Sequence, residues 1–148
     1  MPIVLTTFAF ALGAQQALTP ETVAKRTQTL SNAKQVAVAC LMYQADADDR
    51  FPWASSTAEA KRVTLPYLKD LKIWRTMNPA GGDLAYNTRL AGVLAQEIDR
   101  PAEVPLVHET KPWADGARVV AYTDGHAKVE AGARWPAIQK QLARKFKH

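Results

Sequence analysis

Apolar positions recur at three- and four-residue steps from Val23 onward: Val23, Leu30, Ala33, Ala37, Cys40 and Leu41 form one stripe, and Lys25, Arg26, Gln28 and Lys34 supply polar surface beside it. Thr19 fits an N-cap, Pro20 fits the first helical position, and Glu21 suits the positive end of the helix dipole. The spacing therefore predicts one long helix over about residues 20–45. It runs into an acidic bend, Asp46, Asp48 and Asp49, and stops at Phe51-Pro52, where proline excludes helix.

Trp53 to Thr57 reads as a loop with a new N-cap, and Ala58 to Asp70 as a short helix and a turn broken at Pro66. Asn78-Pro79-Ala80-Gly81-Gly82 is a loop. Leu84 to Asn87 suits a short strand, Leu90 to Ile98 includes a helical turn, and Val104 to Glu109 alternates as a strand does. The plainest β signal is ARVVAYT, Asp124-Gly125, HAKVE, two β-prone runs around a two-residue type I′ hairpin signature. In it Val119, Ala121 and Thr123 share one face, and Arg118, Val120 and Tyr122 the other. Trp135, Ile138, Leu142 and Phe146 recur at helical spacing and predict a terminal amphipathic helix.

Residues 2–14, PIVLTTFAFALGA, are uncharged and as long as a signal-peptide core, but short of the about 20 apolar residues of a membrane span. Ala11, Gly13 and Ala14 supply small residues for cleavage. The expectation is a signal-like or targeting segment over residues 1–18, then a single domain over 19–148. The protein is then periplasmic or secreted, or membrane-associated through residues 2–14, with no stable transmembrane anchor. Its one cysteine, Cys40, excludes an intrachain disulfide and reads as a small buried hydrophobe.

The net charge is +5. Lys140, Arg144, Lys145 and Lys147 have no acidic neighbour in sequence and form a candidate basic surface. No aromatic residues interleave with basic ones along a strand as in a single-strand nucleic-acid binder, so charge alone makes a thin case for that function.

The segment SNAKQVAVACLMYQADADDRFP resembles the helix-to-head junction of type IV pilin-like proteins, close to the major pseudopilin of type II secretion. The match is carried by Ser31, Asn32, Lys34, Gln35, Tyr43, Asp46, Asp48, Asp49, Phe51 and Pro52. LAYNTRLAG resembles the family's Tyr-Asn segment, and AYTDGHAKV its closing hairpin, so the matched words run in order over roughly residues 29–130. The resemblance implies an α+β, pilin-like fold, with a long N-terminal helix packed on a small antiparallel sheet. It also implies a non-enzymatic structural or partner-binding protein, linked to a type II secretion or type IV pilus system, whose partners are proteins or other pilin-like subunits. Tyr43, Phe51, Pro52, Trp53, Asp124 and Gly125 are its implied structural junction. Residues 1–20 lack the basic leader, Gly-Phe-Thr signature and Glu of prepilins. The cysteines often found in relatives correspond to Thr29 and to Thr76 or Met77, so that bridge is missing here.

Two other functions compete with this one. A soluble periplasmic module for an acidic polymer or DNA would use the basic C-terminal helix or exposed tryptophans. A small metal-dependent hydrolase would draw on His108, Glu109, Asp115, Asp124 and His126, whose spacing matches no zinc pattern and which come with no nucleophile elbow. Asp46, Asp48 and Asp49 are the calcium candidates, but an EF-hand count from Asp46 wants Gly and Glu where Phe51 and Thr57 stand. The sequence reading therefore assigns no cofactor and no catalytic residue, and treats the bend as a helix-terminating loop.

Overall fold

A computed structural model describes residues 18–148. The expected signal-like segment, apart from Leu18, lies outside the described residues. The chain forms α1 (Pro20–Asp46), α2 (Thr57–Leu68), β1 (Leu84–Tyr86), β2 (Pro105–Glu109), β3 (Arg118–Tyr122), β4 (Ala127–Glu130) and α3 (Trp135–Leu142), with short 3-10 turns between them. It is an α+β architecture: a long N-terminal helix on a four-stranded antiparallel sheet, with a C-terminal helix.

The sheet is a meander in the order β1-β2-β3-β4, each strand antiparallel to the next. Strand alternation then sorts side chains between two cores. Val119 and Ala121 of β3 face the main core with Ala33, Val36, Ala37 and Cys40 of α1. Val120 and Tyr122 face the other way and pack with Ile138, Trp135 and Leu142 of α3. The sheet is thus sandwiched between α1 and α3, while α2 leans on α1 and β1.

Thr19 caps α1 as expected, its hydroxyl accepting from the Thr22 amide at 3.2 Å. The buried face of α1 differs from the apolar stripe in its first half. Val23 is exposed, and Arg26, Thr29 and Asn32 are buried in its place. That half of the helix lies against loop backbone rather than the sheet, and loop backbone requires polar partners. Asn32 Nδ2 donates to the Arg75 carbonyl at 3.0 Å, and the Met77 amide donates to Thr29 Oγ1 at 2.9 Å. Arg26 forms a two-pronged ion pair with Asp115 at 3.0 and 2.9 Å and lies over the Trp113 ring.

Three local expectations change. α2 continues through Pro66, because proline in the last turn forfeits a single backbone bond. Left-handed Lys69, φ 62°, then ends the helix by donating to Leu65 O at 2.7 Å. The hairpin at Asp124-Gly125 is not a type I′ turn: in that turn positive φ falls on Gly125 alone, at 92°. Gly125 N donates to Tyr122 O and Tyr122 N to His126 O, so a three-residue loop with a glycine bulge closes the strands. Finally, α3 ends at Leu142, and Phe146 reaches the main core from the coil beyond it.

Candidate functional site

The segments that carried the sequence resemblance meet in space. Asp48 and Asp49 take left-handed conformations, φ 51° and 58°, and turn the chain sharply at the end of α1. The strand-like run after the bend then pairs with the 92–95 segment. Phe51 N donates to Val93 O at 2.9 Å, Gly92 N to Phe51 O at 3.2 Å, and Ala95 N to Asp49 O at 2.8 Å. The buried Tyr86 hydroxyl donates to Pro52 O at 3.0 Å, and Asn87 Nδ2 donates to Pro105 O at 2.8 Å. The hairpin closes the arrangement: Gly125 sits so near Leu41 of α1 that a Cβ would fall 3.0 Å from its side chain.

Of the expected junction residues, Phe51 and Pro52 are buried and Tyr43 is half-buried. Asp124 lines a small cavity of about 310 Å³ with Leu41, Gln44 and Phe51, so the hairpin does touch the helix end. Trp53 goes elsewhere. Its side chain is 57% exposed and turns away to cover Gly92. The proline before it and Ala54 after it are both buried.

The acidic bend has structural uses for its groups. Asp46 accepts from the Tyr67 hydroxyl at 2.7 Å, which ties the end of α1 to α2 and raises the tyrosine's pKa. Among the described residues, no group of three or more His, Cys, Asp and Glu side chains is placed to hold a metal ion. The residues of the hydrolase reading are dispersed. His108 faces Trp135 on the α3 side at 5.7 Å between ring centroids, while Asp115 pairs with Arg26. His126 stacks on Tyr122 and bonds Asp124 at 2.5 Å.

Glu109, which in the sequence stands only among the metal-hydrolase candidates, is a structural centre here. It points towards α1 and has no exposed surface. Trp113 Nε1 and the Val119 amide each donate to its Oε2 at 2.7 Å, and the Thr76 hydroxyl donates to Oε1. One carboxylate therefore joins β2, β3 and two loops. An isolated glutamate in an alternating strand carries no sequence sign of this use.

The expected basic surface is divided. Lys140, Lys145 and Lys147 are exposed, but Arg144 pairs with Asp99 at 2.9 Å and lies against Phe146, so it is not a free cation. Its acidic partner lies 45 residues away in sequence, where a local charge count does not look.

The outward side of α1 presents a different surface. Ser31, Lys34, Gln35, Val38 and Met42 descend α1 at helical spacing and, with Tyr67 and Leu68 of α2, line a groove of about 320 Å³. Val38 is 43% and Met42 48% exposed, and Leu65 and Leu71 extend the apolar surface alongside. No helix among the described residues is long and apolar enough to cross a membrane. Comparison with family models, curated proteins and solved structures finds no match to this chain.

Proposed function

We propose that the chain is a non-enzymatic, exported, pilin-like or pseudopilin-like protein whose α1–α2 face docks a helix of another pilin-like subunit. The observation that carries this is the exposed apolar stripe at Val38 and Met42, in a groove running along a helix whose other side is fully used by the core. Side chains at i, i+4, i+7 and i+11 form ridges that accept a second helix. Three further contacts support the pilin-like framework. The matched words of the sequence touch one another at Tyr86–Pro52 and Gly125–Leu41. Thr29 and the Thr76-Met77 pair, where relatives often carry cysteines, are neighbours here, the Met77 amide donating to Thr29 Oγ1.

Magnitude favours an assembly over a tight soluble pair. Four apolar side chains, each roughly half exposed, gain about 1 kcal/mol apiece on burial. Such a gain is smaller than the cost of association, so the contact works where neighbouring subunits add others. A photo-crosslinking amino acid at Met42, in cells producing a type II secretion or type IV pilus system, is expected to form adducts with a pilin-like subunit. Val38→Glu should abolish them without affecting the fold. Equal adducts from a crosslinker at exposed Lys111, or none from Met42 in a folded protein, would refute the reading.

A further inference from the structure

A second groove, of about 680 Å³, opens on another part of the surface, between the loop after the acidic bend and the C-terminal coil. Its wall is Trp53, the most exposed large apolar side chain among the described residues. A Cβ built on Gly92 would lie 2.4, 2.4 and 2.5 Å from three consecutive atoms of the six-membered ring. A point equidistant from three consecutive ring atoms lies on the ring's axis, so the glycine backs the indole face-on. Gly92 has φ +68°, a conformation that also favours glycine. The ring is thereby seated against the backbone, and His148 stacks with it at 6.4 Å between centroids and 21° between planes, which leaves Trp53 57% exposed.

The polar groups around this platform are of two kinds. Arg89 and Lys145 line the groove and have no ion-pair partner among the described residues. Glu59 lines it too, as an acceptor. Its Oε2 takes the Ser55 amide at 2.7 Å and the Ser55 hydroxyl at 2.9 Å, which keep its pKa below the usual value, and Oε1 is left without a protein partner. A flat, partly exposed ring, two free cations and an ionised acceptor specify a ring-shaped ligand with both hydroxyl donors and negative charge. A polyphosphate meets the cations but brings neither a ring for Trp53 nor a hydroxyl donor for Glu59. A neutral sugar meets the ring and Glu59 but leaves the cations unused.

We propose that this groove binds an acidic saccharide, a uronic-acid chain whose sugar ring stacks on Trp53. Its carboxylate pairs with Arg89 and Lys145, and a ring hydroxyl donates to Glu59. The site is separate from the α1–α2 face and stands or falls independently of it. The test is calorimetric titration with a galacturonic acid oligomer, its neutral galactose counterpart of equal length, and inorganic tripolyphosphate. The acidic oligomer is expected to bind, more weakly as salt rises, and the other two are not. Trp53→Ala should weaken binding by about tenfold or more, the loss of one stacked ring. Combined Arg89→Ala and Lys145→Ala should remove most of the salt dependence. All these side chains are on the surface, so an unchanged circular dichroism melt verifies each variant's fold. Absence of acidic-oligomer binding, equal binding of the neutral oligomer, preference for tripolyphosphate, or undiminished binding by Trp53→Ala each overturns the proposal.

Discussion

Replacing Glu109 with alanine should cost about 4 kcal/mol of folding stability, and the figure follows from its partners. The side chain is fully buried and accepts from Trp113 Nε1, the Val119 amide and the Thr76 hydroxyl. Removing it leaves two N–H donors with no acceptor in the core, at roughly 1–3 kcal/mol each. The hydroxyl can rotate, so it contributes less. Glutamine separates acceptor geometry from charge. Its amide oxygen can take both bonds now made to Oε2, and its NH₂ can donate to Thr76 Oγ1, which then serves as acceptor. The exchange loses the stronger bonding of a carboxylate and should cost only about 1–1.5 kcal/mol. Urea denaturation of wild type, Glu109→Ala and Glu109→Gln, followed by far-UV circular dichroism and tryptophan emission, measures both values. A loss below about 1 kcal/mol for alanine would show that water or rearrangement satisfies the donors. A loss for glutamine equal to that for alanine would refute the acceptor argument.

Burial lowers the His108 pKa below its ordinary 6.5, with the Arg118 charge acting in the same direction and the Glu109 carbonyl opposing it. The unfolded chain then binds more protons than the native one just below that value, so stability is complete above about pH 6.5 and declines as pH falls towards the depressed value. His108→Gln should flatten this part of a plot of melting temperature against pH, and an unaltered slope would assign it to another group. Burial pushes the Cys40 thiol up to about 12. It should resist Ellman's reagent in the native protein and react promptly in denaturant, and fast native labelling would contradict its placement in the core.

The order of elements was legible because it rests on local chemistry. The N-cap at Thr19, the helix-terminating acidic bend after Asp46 and the alternation through Val119 to Tyr122 each act within a few residues. The opposite faces of β3 were readable for the same reason, and they became the two cores. Features that depend on distant partners were not legible. Arg26, Thr29 and Asn32 look like solvent-facing residues until the loops that need them are folded against α1. Arg144 looked free because Asp99 is far away in sequence. Trp53 was expected with its aromatic and proline neighbours, but they are buried while it turns outward with Gly92 as a support. The Asp124-Gly125 turn shows a smaller limit, since the same two residues serve either of two loop lengths and only the φ angles distinguish them.

The polar half of the buried face of α1 has a consequence during synthesis. Ribosomes deliver chains from the N-terminus, and domains fold as units. α1 is therefore complete well before the loops that cover its polar half, since their partners run from Arg75 to Asp115. A wholly apolar face would spend that interval exposed to neighbouring chains and to its own copies. Arg26, Thr29 and Asn32 let the nascent helix remain hydrated on that side until the later residues arrive. The meander then closes each strand on the one just made, without any crossover. Among the described elements α1 is made first, its polar half waits for residues as late as Asp115, and its polar residues suit it to that wait.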